Sequence, residues 1–319
     1  MTDDSVDRPV TVLVNLPGDY IGVHRLADRF PSVRFVDVDP GHPIDPDVHG
    51  EVLVTRAAAA ENLADLLDRG VRWVYCTGHG VDGLPLELVG GRVLTCARGT
   101  MATPIAEWVV AMILTVSKRL PGSWVDGPPK HWFLDRLTAL EDATVALIGF
   151  GSINRAVSHR LAPFGCRLVA TRRGQAGVDD PAVEVVPDAF AAVSGADHVV
   201  IGVPATPGTN HLFDDDLFAA MKPGGHLVNV ARGSIVDQAA LRRALDSGQV
   251  GVASLDVCEP EPLPEGHWLY THPGVRLSPH VSWCSPGAVE DLREDFSDNL
   301  ERWLDGRALK GVVDVEAGY

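Results

Sequence analysis

Between the apolar run Thr144–Ile148 and a helix-patterned stretch from Arg155 to Phe164 lies Gly149-Phe150-Gly151-Ser152-Ile153-Asn154. Glycines at this spacing, with a strand before and a helix after, form a loop suited to phosphate capture. Gly149 permits the tight turn. Gly151 lacks the side chain that would hold a pyrophosphate away from the helix N-terminus, where unpaired N–H groups and the helix dipole attract anions. The third glycine of the dinucleotide pattern is replaced by Asn154, which is expected to cost close helix–strand approach rather than phosphate contact. The next apolar strand, Arg167–Thr171, runs into Arg172-Arg173. A site for NAD places Asp or Glu near this point to accept from the ribose 2′-OH, whereas two guanidinium forks suit a 2′-phosphate. The expected cofactor is therefore NADP(H), preferred over NAD(H); the plain alternative is a pair of solvated arginines.

The elements that must position this loop read as two α/β series. In the first, Val10–Leu16, Val52–Thr55, Val71–Cys76 and Arg92–Cys96 are buried parallel strands by their apolar runs, and Ala57–Arg69 has helical spacing. Residues ahead of Val10 are a short frayed lead-in. No GxGxxG occurs in this part, so the dinucleotide site belongs to the second series. Ile105–Arg119 is a helix apolar almost all round, with Thr103 as cap and Pro104 in the first turn; such a helix must be covered on every face and is a candidate subunit interface. Residues 121–132, rich in Gly and Pro, form a loop. In the second series further strands are expected at His198–Val203, His226–Val230, Val250–Leu255 and Val275–Ser278, with helices between, and a last helix at Ala288–Leu304. The fold class is α/β, with two doubly wound parallel sheets.

Bulk properties narrow the function. A formal net charge of −16 over 319 residues argues against nucleic acid or an anionic membrane as partner, because both repel such a surface. It also means that an anionic substrate needs local positive charge. No window reaches the about 18 uninterrupted apolar residues of a membrane span, and the acidic start lacks a signal peptide's basic and apolar regions. The five cysteines (Cys76, Cys96, Cys166, Cys258, Cys284) show no metal-ligand spacing and read as reduced thiols of a cytoplasmic protein; no metal is expected.

Over nearly its whole length the chain resembles the D-isomer-specific 2-hydroxyacid dehydrogenase family, in particular its NADP-type glyoxylate/hydroxypyruvate reductases. The likeness is carried by Gly78-His79-Gly80-Val81-Asp82, Pro104-Ile105-Ala106-Glu107, GFGSI, LVNVARGSIVD (227–237), SLDVCEPEP (254–262) and Ser278-Pro279-His280. It implies a flavodoxin-like substrate domain from residues 1–97 and 285–319. A Rossmann dinucleotide domain, 98–284, would be inserted in it, with the active site in the cleft.

The resemblance also assigns roles. Arg232 matches the catalytic arginine, and a bidentate fork suits a substrate carboxylate beside the ketone it polarises. His280 matches the proton donor and acceptor, a role imidazole suits because it titrates near the working pH. Glu261, selected over Glu259 and Glu265 by the LDVxxxEP register, matches the carboxylate that orients the histidine and favours its protonated form. The cofactor-binding set is Gly149, Phe150, Gly151, Ser152, Ile153, Arg172, Arg173, Val203, Pro204, Val230, Ala231 and Asp256, with a loop-capping carboxylate as the other reading of Asp256. Gly78, His79 and Gly80 form the loop whose main-chain N–H groups meet the substrate carboxylate together with Arg232. Arg98 is a second positive group for the pocket or a hinge salt bridge. Trp283, where the family often has a small residue, is an aromatic wall of the site or core packing.

The implied reaction is direct hydride transfer between the nicotinamide and C2 of a 2-keto or D-2-hydroxy acid, in a homodimer joined through helix 105–119. A formate- or phosphite-type dehydrogenase of the same fold is an alternative, although Pro279 stands where the formate oxidisers carry Gln. A non-enzymatic dinucleotide-sensing corepressor is another. The side chain of the keto acid is not given by any motif.

Overall fold

A computed structural model describes residues 9–58, 60–133, 136–173 and 180–319; most of the expected lead-in before Val10, and position 59 of the expected helix Ala57–Arg69, lie outside the described residues. The chain divides into two compact units, one comprising the chain up to Met101 together with Ser285–Tyr319, the other Ala102–Cys284.

In the first unit β1 (Val10–Asn15), β2 (Val33–Asp37), β3 (Val52–Thr55), α1 (Leu63–Leu67), β4 (Trp73–Cys76), α2 (Leu86–Val89) and β5 (Val93–Cys96) follow in order. The strands form a parallel five-stranded sheet in the order β2-β1-β3-β4-β5. β3 and β4 are buried at every residue, which is why they read as unbroken apolar runs. β2 was not anticipated: it is an edge strand with partly exposed alternate positions. The helix expected over Ala57–Arg69 is confined to α1. Ahead of it the backbone of Ala57 lies so close to Gly83 that a Cβ there would meet the Ala57 carbonyl oxygen at 2.0 Å, and that contact, not helical propensity, fixes the segment.

The second unit comprises α3 (Ala102–Ser117), β6 (Thr144–Ile148), α4 (Ser152–Leu161), β7 (Arg167–Thr171), β8 (Val183–Val185), α5 (Ala189–Val193), β9 (His198–Ile201), α6 (Asp215–Ala220), β10 (Gly225–Asn229), α7 (Gln238–Asp246), β11 (Val250–Leu255) and β12 (Val275–Leu277). Its parallel sheet has seven strands in the order β12-β11-β10-β9-β6-β7-β8. Chain order reverses at β6, whose neighbours are β7 and β9, and ligands of such sheets bind at the carboxyl ends near this switch. α3 starts one residue before Thr103, which is therefore helical rather than a cap, and it packs on α4. Asp188, Asp214 and Asp237 cap α5, α6 and α7 by accepting backbone N–H bonds. The last helix, α8 (Ala288–Leu304), returns to the first unit, where Phe296 stacks on Trp73 at 5.7 Å and Asp295 accepts from the Tyr75 hydroxyl at 2.8 Å.

Candidate active site

Pairing register decides where the chemistry stands. Thr171, Ile148, Ile201, Asn229, Leu255 and Leu277 are successive partners across the larger sheet, so β7, β6, β9, β10, β11 and β12 end on one row. Strands expected to run to Val203, Val230 and Ser278 stop at this row, which frees the residues beyond it as loops. Those loops carry Arg172 and Arg173, Gly149 to Ile153, Val203 and Pro204, Val230 to Arg232, Asp256 to Glu261, and His280. All the candidates of this unit emerge from one edge of one sheet.

On the dinucleotide side Gly149 has φ +84° and donates its N–H to Thr171 Oγ1 at 2.9 Å. A Cβ on Gly151 would meet nothing within 4 Å, so open space stands at the N-terminus of the ten-residue α4, whose first-turn N–H groups have no helical partner. These residues fit a pyrophosphate. Phe150 is buried, with the Arg155 guanidinium 5.2 Å from its ring centroid. Asn154 costs less than expected: its Nδ2 donates to the Gly149 carbonyl at 2.6 Å, and room for it comes from Gly202, where a Cβ would lie 2.4 Å from that nitrogen. The missing third glycine is thus offset by a glycine on β9's loop. Arg172 and Arg173 follow directly on β7 and are exposed.

On the substrate side the Asn229 side chain holds the loop of Arg232, accepting from Ala231 N at 3.0 Å and donating to the Arg232 carbonyl at 2.9 Å. The neighbouring Gly233 presses against the next loop so closely that a Cβ would meet Cys258 C at 2.1 Å. Glu261, at the far end of that loop, uses both oxygens. Oε1 accepts from Cys258 N at 3.0 Å and Oε2 faces His280 Nδ1 at 2.8 Å. Burial first, and then the Glu261 carboxylate, push the Cys258 thiol up to about 11. With Nδ1 turned to a carboxylate, the ring's Nε2 is the nitrogen available to a ligand.

Asp256 is 1% exposed, and its carboxylate accepts from Ser278 Oγ (2.5 Å), Val281 N (2.9 Å) and Ser282 N (2.9 Å). That is the loop-capping geometry. Trp283 is half-buried and its indole N–H donates to the His280 carbonyl at 3.0 Å. In the other unit the carbonyls of Gly78, His79 and Gly80 are taken up by Ala97 N, Cys96 Sγ and Cys76 Sγ, so the loop's N–H groups are the chemistry it can offer. The His79 ring is turned to Gly99, accepting its N–H at 3.0 Å. The Arg98 side chain reaches the Cys96 thiol. Sequence reasoning missed Asn229, Gly202 and Ser278; a polar residue closing a buried strand was the one signal available for Asn229. Among the described residues no group of His, Cys, Asp and Glu could hold a metal ion.

Residues 110–282 match the family model described as D-isomer specific 2-hydroxyacid dehydrogenase, NAD binding domain. The chain belongs to the D-isomer specific 2-hydroxyacid dehydrogenases. It is a nicotinamide-dependent oxidoreductase, and the fold above is that of this family. The enzyme is 30% identical over 274 residues to a glyoxylate reductase/hydroxypyruvate reductase of Mus musculus, covering 82% of each chain. It is 32% identical over 253 residues to a glyoxylate reductase of Thermofilum pendens, covering 76% of this chain and 74% of that one. Among solved structures it is similar to an NADPH-dependent glyoxylate/hydroxypyruvate reductase from Sinorhizobium meliloti in complex with NADP and sulfate. That likeness has a TM-score of 0.79 and 27% identity, over 97% of this chain and 100% of that one. No helix among the described residues is long and apolar enough to cross a membrane.

Proposed function

We propose that the enzyme reduces a small 2-keto acid of the glyoxylate or hydroxypyruvate type to the D-2-hydroxy acid, with NADPH preferred over NADH. The observation that carries this reading is the alignment of the phosphate loop, Arg232 and the Glu261–His280 pair along one sheet edge.

Bound at this edge, a reduced nicotinamide would supply the hydride needed at C2. Arg232 holds the substrate carboxylate and polarises the adjacent ketone, a task for local positive charge in a chain of formal net charge −16. We assign the N–H groups of Gly78, His79 and Gly80 to substrate binding as well. His280 gives the Nε2 proton to the carbonyl oxygen as it becomes a hydroxyl, and Glu261 stabilises the ring's charge before that transfer through Nδ1–H. In the oxidative direction Nε2 takes the proton back. Gly149 to Ile153 hold the pyrophosphate, with Val203, Pro204, Val230 and Ala231 beyond the adjoining strand ends. Arg172 and Arg173 receive the 2′-phosphate, a reading supported by the absence of Asp or Glu at the end of β7.

We also assign a homodimer through α3, where Ile105, Ala106, Val109 and Ile113 are buried but Trp108, Val110, Met112 and Leu114 are only half-buried. The five free cysteines fit the reducing cytoplasm.

Nicotinamide absorbance with glyoxylate, hydroxypyruvate, phenylpyruvate and branched 2-keto acids, each with NADPH and with NADH, tests the reading. Turnover of the short keto acids is expected, with the NADPH preference lost in Arg172→Ala/Arg173→Ala. Oxidation of formate or phosphite with no keto-acid turnover would overturn it.

A further inference from the structure

His280 occupies backbone space that most residues avoid: its φ is +55°, in the left-handed region. The Glu261 contact alone is a weak guide for it, because the two side chains are 41% and 37% exposed and an ion pair in water does little to fix orientation. The peptide groups on either side of His280 are held more firmly. Its N–H donates to the Asp256 carbonyl at 2.8 Å, and the next two N–H groups go to the buried Asp256 carboxylate. Its own carbonyl accepts the Trp283 indole N–H at 3.0 Å. Without that donor the His280–Val281 peptide is held on one edge only, by the Val281 N–H on the Asp256 carboxylate, so its carbonyl edge can tilt and shift the Cα that carries the imidazole away from Glu261.

We infer that Trp283 is a positioning residue for catalysis: its indole N–H pins the His280 carbonyl and so keeps the imidazole aimed from a left-handed backbone. Asp256 fixes the entry and exit of the same loop. The half-buried indole has its polar edge committed to the main chain, so its part in the reaction is exerted through His280 and not through contact with the keto acid. This inference rests on His280 being the proton donor.

Trp283→Phe removes the N–H and keeps most of the ring. The expected result is a fall in kcat of about ten- to a hundredfold, the range for a catalytic group misplaced by a fraction of an ångström. KM for the keto acid and NADPH affinity stay near wild type, and the His280 Nδ1–H signal in ¹⁵N-histidine NMR of the cofactor-free enzyme moves or broadens. His280→Asn separates the two ideas. If His280→Asn leaves activity intact, the assignment of the proton donor falls. If it abolishes activity while Trp283→Phe changes neither kcat nor the histidine signal, only the role of Trp283 falls. A change confined to KM and to the ranking of keto acids by size would also overturn the inference in favour of an aromatic wall. In the His280→Asn background the Trp283→Phe change should have no further effect on kcat; an undiminished effect there would equally sink it.

Discussion

Glu261 serves two neighbours at once, and removing its charge should be felt by both. Its Oε2 faces His280 Nδ1 and its Oε1 accepts the Cys258 N–H, while the Cys258 thiol is pushed up to about 11 by burial and then by this carboxylate. In Glu261→Gln the imidazolium loses its counter-charge, so kcat should fall by about 10² to 10³, the weight of a positioned acid–base partner. The Cys258 thiol should ionise at lower pH than before, although burial keeps it above an ordinary cysteine. Alkylation followed by peptide mass spectrometry at pH 8 to 9 reads this directly: Cys258 should react faster in Glu261→Gln than in wild type, with the exposed Cys284 as internal reference. Equal Cys258 rates in the two proteins would show that the carboxylate does not act on the thiol. The register of the sequence picked Glu261 over Glu259 and Glu265, and the geometry puts Glu261 on the histidine. The Cys258 N–H acts through the main chain, which no residue type announces, and the role of Asn229 on the Arg232 loop is signalled only by a polar residue closing a buried strand.

The approach of α4 to β9 depends on two residues that are legible only together. Asn154 sits where a glycine is usual, and Gly202 leaves the space it needs, since a Cβ at 202 would come within 2.4 Å of the Asn154 amide nitrogen. Gly202→Ala should therefore lower stability by about 1–3 kcal/mol, the range for overpacking a dense interior, and weaken NADPH binding. Adding Asn154→Gly should restore a large part of both, with a coupling of about 1 kcal/mol or more in a double-mutant cycle followed by urea unfolding and cofactor fluorescence. Additive losses would mean that the two side chains do not share this space. The same dependence on partners explains how far the fold could be read. β3, β6, β7 and β11 match their expected bounds, β3 and β6 most plainly because a strand buried along nearly its whole length is a continuous apolar run. β2 and β8 were missed because an edge strand keeps polar, half-exposed positions; β8 has one buried residue of three. α1 was overdrawn because the Ala57 backbone is claimed by Gly83, a contact remote in sequence. The strands stop at Ile201, Asn229 and Leu277, short of the expected Val203, Val230 and Ser278; Val203 and Val230 are apolar residues of the site-bearing loops and extend the run in sequence only.

A chain of formal net charge −16 already resists compaction, and its tolerance of acid turns on groups it keeps neutral. The least expected of these is a buried row through β9, β10 and β11. His198 Nε2 pairs with Ser117 Oγ at 3.3 Å, His198 Nδ1 with His226 Nδ1 at 3.0 Å, and His226 Nε2 with Ser254 Oγ at 2.9 Å. Whichever ring donates between the two Nδ1 atoms, each imidazole holds one proton. A further proton is compatible with the row only on an Nε2, where a serine hydroxyl must turn to accept, and one more would set two Nδ1–H donors face to face. Burial lowers His198 from 6.5 to about 4, only partly opposed by the neighbouring Asp197. Burial, then His198 and Arg276, hold His226 well below its ordinary value. Between pH 6.5 and 4 the unfolded chain thus binds a proton at His198 that the folded chain refuses. Stability is complete above pH 6.5 and drains as the pH falls, by about 2 kcal/mol at pH 5 for His198 alone, with His226 adding in the same direction. Opening free energies of β9 and β10 amides, from hydrogen exchange at pH 7.5 and pH 5, should differ by at least this amount in wild type. In His198→Asn/His226→Asn the difference should shrink to what the carboxylates contribute, whatever the variant's stability at neutral pH. An unchanged pH difference in that variant would mean that the acid sensitivity of this sheet comes from elsewhere. A wild-type difference near zero would mean that the rings accept protons without breaking the row.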